Sequence, residues 1–135
     1  FSYLSIDTQE VRLAYHDRFS APVDLARRLR ADLGKVDATL GMTLGPNGAY
    51  YFPKNTPKNT NIECYAPAFA DKVVDATGAG DAFFALTTLL IKVGCPDVMI
   101  PFLGNIYAGL KTRIIGNKAS VCRAQLTKAV VAILK

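Results

Sequence analysis

Residues 72–83, Lys-Val-Val-Asp-Ala-Thr-Gly-Ala-Gly-Asp-Ala-Phe, constrain the chain more than any other stretch. Val73 and Val74 read as the end of a strand, and Ala82–Val93 reads as a helix. Between them lies a turn built almost wholly of small residues. Glycine allows positive φ and close approach of a ligand. A strand, a glycine turn and a helix start together aim several free N–H groups at one point. That point suits an anion, because the orphan donors and the helix dipole both favour negative charge. Asp81 stands where the anion would sit. A carboxylate there makes no sense for simple phosphate binding, since like charges repel. It makes sense if Asp81 takes a proton from a nucleophile that then attacks the phosphate. The plain alternative is a strand-to-helix turn with an acidic first-turn residue.

Asp75-Ala-Thr77-Gly78-Ala79-Gly80-Asp81 resembles the D-T-x-G-A-G-D signature of the ribokinase-like (PfkB) sugar kinases, with Ala76 in place of the usual threonine. The resemblance implies an anion hole formed by Gly78, Ala79, Gly80 and Asp81, with Asp81 as general base. Thr43-Leu-Gly45-Pro-Asn-Gly48 is similar to the T-L-G-x-x-G element that borders ATP in that family. This implies nucleotide contacts from Thr43, Gly45 and Gly48. Read without the family, the same residues make a β-hairpin with a Pro-Asn-Gly turn. Asp7-Thr-Gln-Glu10 stands where the family has N-x-x-E, which organises magnesium and phosphate; Asp7 replaces the asparagine, and Glu10 matches. On its own this run is a helix capping box. Asn105-Ile-Tyr-Ala108 falls where the family has an Asn-x-x-Ala helix beside adenine, so Asn105 and Ala108 are carried over. In potassium-activated members the loop corresponding to Ile114–Val121 joins the signature aspartate in holding a monovalent cation. Asp75 and Thr77 are the candidates here. The opening helix and the 104–117 segment look most like heptose-phosphate kinases.

The chain has 135 residues, which suits one domain or part of one, taken here as residues 1–135. Half are apolar and a fifth charged, enough for a packed core. The net charge of +5 suits phosphate ligands. The basic residues are scattered, densest at Arg27, Arg28 and Arg30 on what reads as an outer helix face, which argues against nucleic acid as a partner. Cys64, Cys95 and Cys122 fit no metal or disulfide pattern, which points to a reducing, cytoplasmic setting. No apolar run is long enough for a membrane span, and no signal peptide is evident. The first residue is Phe, inside what reads as a strand, so a fragment is expected.

In chain order, Phe1–Ile6 reads as a strand, followed by a helix with Val11, Ala14, Tyr15 and Phe19 on one face. His16 reads as a surface residue. A second helix opens at Ser20-Ala-Pro22, buries Leu25, Leu29 and Leu33, and stops at Gly34. Asp37–Leu44 and Ala49–Phe52 read as strands, Pro53–Asn61 as an exposed loop, and Ile62–Tyr65 as a short strand. Ala82–Val93 is apolar nearly all round, the pattern of a helix buried on both sides. A helix from Asp97 to Arg113 contains Gly104 and Gly109, which ask for a close neighbour, either another helix or a flat ring. Arg123–Leu134 is a final amphipathic helix with Leu126, Val130, Ile133 and Leu134 inward. Helices flanking a strand-rich middle indicate an α/β fold. By resemblance this is the C-terminal part of the three-layer ribokinase-like fold, a mixed sheet flanked by helices.

The implied reaction is phosphoryl transfer from ATP, with Mg2+, to the hydroxyl of a sugar or sugar phosphate. K+ is a further candidate cofactor. The resemblance covers the later half of such an enzyme. The implied partners are therefore ATP, the sugar substrate and the missing early half, with a homodimer as one arrangement; the piece alone is expected to be inactive. The alternative is a non-catalytic nucleotide-binding or regulatory module, which has no need for a buried carboxylate facing phosphate.

Overall fold

A computed structural model describes residues 2–34, 36–54, 63–70, 72–116 and 118–135. Strand β1 (Tyr3–Asp7) runs parallel to β2 (Thr39–Thr43), with Tyr3 opposite Thr39 and Asp7 opposite Thr43. Parallel neighbours need a crossover, supplied by helices α1 (Thr8–Tyr15) and α2 (Pro22–Leu33). After a 3-10 turn at Gly45–Asn47, β3 (Ala49–Phe52) returns antiparallel to β2. Strand β4 (Cys64–Ala66) pairs antiparallel with β3, giving a mixed sheet in the order β1-β2-β3-β4. Three helices follow: α3 (Ala79–Lys92), α4 (Met99–Lys111) and α5 (Arg123–Leu134).

The period-two alternation of the strands decides which layer each side chain joins. Leu40 and Met42 on β2 and Phe52 on β3 face α1 and α2, where they bury Val11, Leu25 and Ala26. The opposite face of the sheet meets α3 and α4. There Gly41 leaves room for Tyr3, whose hydroxyl oxygen would stand 2.5 Å from a Cβ at Gly41. Thr87 donates to Phe83 O, so the Tyr3 hydroxyl donates to Thr87 Oγ1, at 2.8 Å, and ties β1 to α3. Helices α3 and α4 touch through Gly104, where a Cβ would come within 2.7 Å of Phe83 and Thr87. The close neighbour at Gly104 is helix α3, through the Phe83 ring and the Thr87 methyl.

Several expectations need correction. Val73 and Val74 form no strand and are exposed. The backbone there is held instead by the end of α4, with the amides of Val74 and Asp75 both donating to Thr112 O at 2.8 and 2.9 Å. Helix α3 begins at Ala79, three residues before the expected Ala82. It buries only Phe83 and Thr87, and Phe84 and Leu89 lie exposed, because α4 covers one side alone. On α1, Ala14 and Phe19 do not join the Val11 face; Phe19 is 96% exposed beyond a helix that ends at Tyr15. On α5, no residue is buried, and Ile133 and Leu134 extend past what α4 can cover. Helix α4 is two residues shorter at each end than read. The arginine group on α2 is turned to internal use: Arg27 pairs with Glu63 at 2.6 Å, Arg28 lies 4.0 Å over the Tyr15 ring, and Arg30 donates to the carbonyls of Ala38, Pro53 and Lys54. Phe1, Ile62, Asn117 and most of the expected 53–61 loop lie outside the described residues.

Candidate active site

The turn before α3 is set by Gly78, the helix N-cap, at φ 77°, a left-handed conformation that glycine adopts at least cost. No side chain caps the first turn. The amide of Ala79 donates to Ala76 O at 3.2 Å, and that of Ala82 to Gly78 O at 2.9 Å. Among the described residues, the amides of Gly80 and Asp81 have no internal acceptor. Of the donors proposed from sequence, these two are therefore the ones left for an anion. Asp81 stands in the same first turn and is exposed, not buried as expected.

Two clefts meet at Gly80. The larger, about 530 Å³, is bounded by the hairpin residues Thr43–Gly48 on one side and by Ala79, Gly80, Asn105 and Ala108 on the other. The structure thus gathers Thr43, Gly45, Gly48, Ala79, Gly80, Asn105 and Ala108 around one space. The hairpin is shaped by Gly45 at φ 57° and Gly48 at φ 96°. Asn105 is spent partly on structure, its amide donating to Ala66 O at 2.8 Å and Pro67 O at 3.0 Å. That anchors the strand exit beside the cleft. Arg12, a residue the sequence reading passed over, also lines this cleft. Its signal was spacing: position 12 follows Thr8 by four, on the same helical face.

The smaller cleft, about 290 Å³, is lined by Asp7, Glu10, Thr43, Gly80 and Asp81. Asp7 and Glu10 form the expected capping box: Glu10 N donates to Asp7 Oδ1 at 2.9 Å, and Asp7 N to Glu10 Oε2 at 3.0 Å. Among the described residues, no three His, Cys, Asp or Glu side chains converge into a metal cage.

Asp75 and Thr77 sit apart from both clefts' acidic groups. Asp75 Oδ1 accepts from Thr77 N at 2.8 Å and Oδ2 from Gly116 N at 2.7 Å. The Thr77 hydroxyl, then the Thr77 and Gly116 amides, hold its carboxyl down to about 2. Lys111 donates to Gly116 O. A third cleft, about 580 Å³, lies between this loop and the other side of Gly78 and Asp81.

A sequence profile of pfkB family carbohydrate kinases matches residues 8–109. The chain belongs to the pfkB family. No curated protein matches it by sequence. Its fold is similar to that of a Thermotoga maritima ribokinase (19% identity, TM-score 0.74), covering 97% of this chain and 42% of the other. It is also similar to an Arabidopsis thaliana ribokinase solved with ribose and ATP (19%, TM-score 0.77), covering 96% of this chain and 41% of the other. Phosphofructokinase-2 of Escherichia coli, solved with potassium, matches at 15% identity and TM-score 0.77, over 100% of this chain and 42% of the other. This pfkB chain therefore spans about two fifths of the length of the solved kinases it matches.

Proposed function

We propose that this chain is the nucleotide-binding part of a sugar kinase and carries its catalytic base. The carrying observation is that Asp81 and the two unpartnered amides of Gly80 and Asp81 share one helical turn, at the point where the two clefts meet. In this reading ATP occupies the larger cleft. Thr43, Gly45 and Gly48 border its phosphates, Asn105 and Ala108 lie toward the base, and Arg12 adds a cation. Gly78 fixes the turn. Asp81 takes the proton of a sugar or sugar-phosphate hydroxyl as that oxygen bonds the terminal phosphorus. The bond to the bridging oxygen breaks, and ADP leaves. Fixed donors matter here because the transition state spreads charge over the phosphoryl oxygens.

The residues fit a magnesium ion. Mg2+ usually keeps several waters and takes one or two carboxylates plus substrate phosphates, so it needs no protein cage. Glu10, lining the smaller cleft, is the group that would hold it through water, and the ion would neutralise charge on the nucleotide phosphates, leaving Asp81 free to accept a proton. Potassium fits less well, because the Gly116 carbonyl is taken by Lys111 and both Asp75 oxygens accept amides.

The sugar-binding residues and further strands are assigned to the rest of the kinase. Strand β1 is a sheet edge among the described residues, and Phe84 and Leu89 are exposed on α3, which supports a larger body joining on that side. Calorimetry of the chain with ATP and Mg2+ tests the nucleotide reading. Saturable binding is expected, and none would contradict it. The alternative, a binding module without chemistry, predicts ATP binding but no turnover when the remaining kinase half is supplied.

A further inference from the structure

We propose that the Lys111 ammonium is a built-in monovalent cation for the loop after α4, so that the nucleotide side of this protein works without potassium. Lys111 is the last residue of α4 and is only 9% exposed. Its Nζ donates to Gly116 O, while the amide of the same Gly116 donates to Asp75 Oδ2 at 2.7 Å. The chain on either side is closed by Val74 and Asp75, whose amides share Thr112 O. Ammonium, loop and carboxylate thus form one ring through the end of α4. A buried charge persists only when paired and hydrogen-bonded. Asp75 supplies the nearby opposite charge, linked to Lys111 through Gly116 rather than by a direct ion pair, and Lys111 is itself among the groups that keep that carboxyl low.

A metal cation bridging Asp75 and the Gly116 carbonyl would compete with Lys111 for that oxygen. It would also stand beside a like charge. The ammonium performs the same service: one positive charge that holds the Gly116 carbonyl and favours the ionised aspartate. Lys111 is a positioning residue, acting on Thr77 and Gly78 through Asp75, which precedes them. This rests on the reading above, in which Gly78–Asp81 contacts the nucleotide.

The test compares wild type and Lys111→Met in potassium chloride and in N-methyl-D-glucamine chloride of equal ionic strength. Thermal unfolding and ATP–Mg2+ affinity are the two readouts. Wild type should give the same melting temperature in both salts and an affinity that agrees to within about twofold. Lys111→Met should melt lower and bind ATP about tenfold more weakly without potassium, and recover in part when potassium is added. A wild type stabilised by potassium, or a Met variant indifferent to it, would overturn the proposal. Rubidium-soaked wild-type crystals give an independent answer should the variant fail to fold. An anomalous peak on Gly116 O refutes the idea, and its absence beside an ordered Lys111 supports it. If no protein binds ATP in any salt, the kinase reading fails, while the melting and rubidium results still decide the cation question.

Discussion

Gly48 has φ 96°, and a Cβ there would stand 2.1 Å from Ala66 O. Both facts forbid a side chain. Gly48→Ala should destabilise the protein by about 1–3 kcal/mol or more, read as a shifted urea midpoint at constant slope. The motif itself was legible as a glycine-bearing hairpin, since turn chemistry is local. That the second glycine also makes room for β4 was not, because Ala66 is distant in sequence. Asp75 gives a pH prediction. Its carboxyl lies near 2 in the fold and at about 3.9 in the unfolded chain. The folded value is the lower one, so its stabilisation is full above about pH 4 and is lost as pH falls through about 2. The protection factor of the Gly116 amide, its exchange relative to the intrinsic rate at each pH, should therefore fall as pH drops through that range in wild type. Asp75→Ala should show the lower protection already at neutral pH. Unchanged protection in the variant would remove Asp75 from the role of loop anchor.

At the scale of elements, the contact between α3 and α4 sets where the glycine turn at Gly78–Asp81 stands. Gly104 meets Phe83 and Thr87 so closely that an added methyl must push the helices apart. Gly104→Ala should cost about 1–3 kcal/mol, as overpacking does, and should weaken ATP binding by shifting Gly80. Loss of stability with ATP affinity intact would mean that α4 does not position the turn. The capping box of α1 and the Leu25 stripe of α2 could be read from sequence because each is a pattern within one helix, closed over one or two turns. The missing strand at Val73–Val74 could not. Two β-branched residues favour a strand, but the carbonyl that claims the amides of Val74 and Asp75 is Thr112 O, far along the chain. The motif places Asn105 at the cleft, and it does line it. That its amide also bonds Ala66 O and Pro67 O was not legible, because those partners lie nearly forty residues away.

For the molecule as a whole, the layered α/β order followed from periodicity and the family resemblance, and the solved kinases share it. Apolarity around α3 was read as burial on both sides, yet Phe84 is 44% and Leu89 63% exposed. Composition reports what a face could bury, not whether a neighbour is there. The proposed chemistry rests on Asp81, the acid in the uncapped first turn of α3. Its most direct test is the turnover of the complete kinase carrying Asp81→Asn, measured beside its ATP affinity. The expected result is a fall in kcat of about two to four powers of ten with ATP affinity nearly unchanged. Undiminished turnover, or loss of ATP binding in a folded variant, would contradict a role for Asp81 as the base.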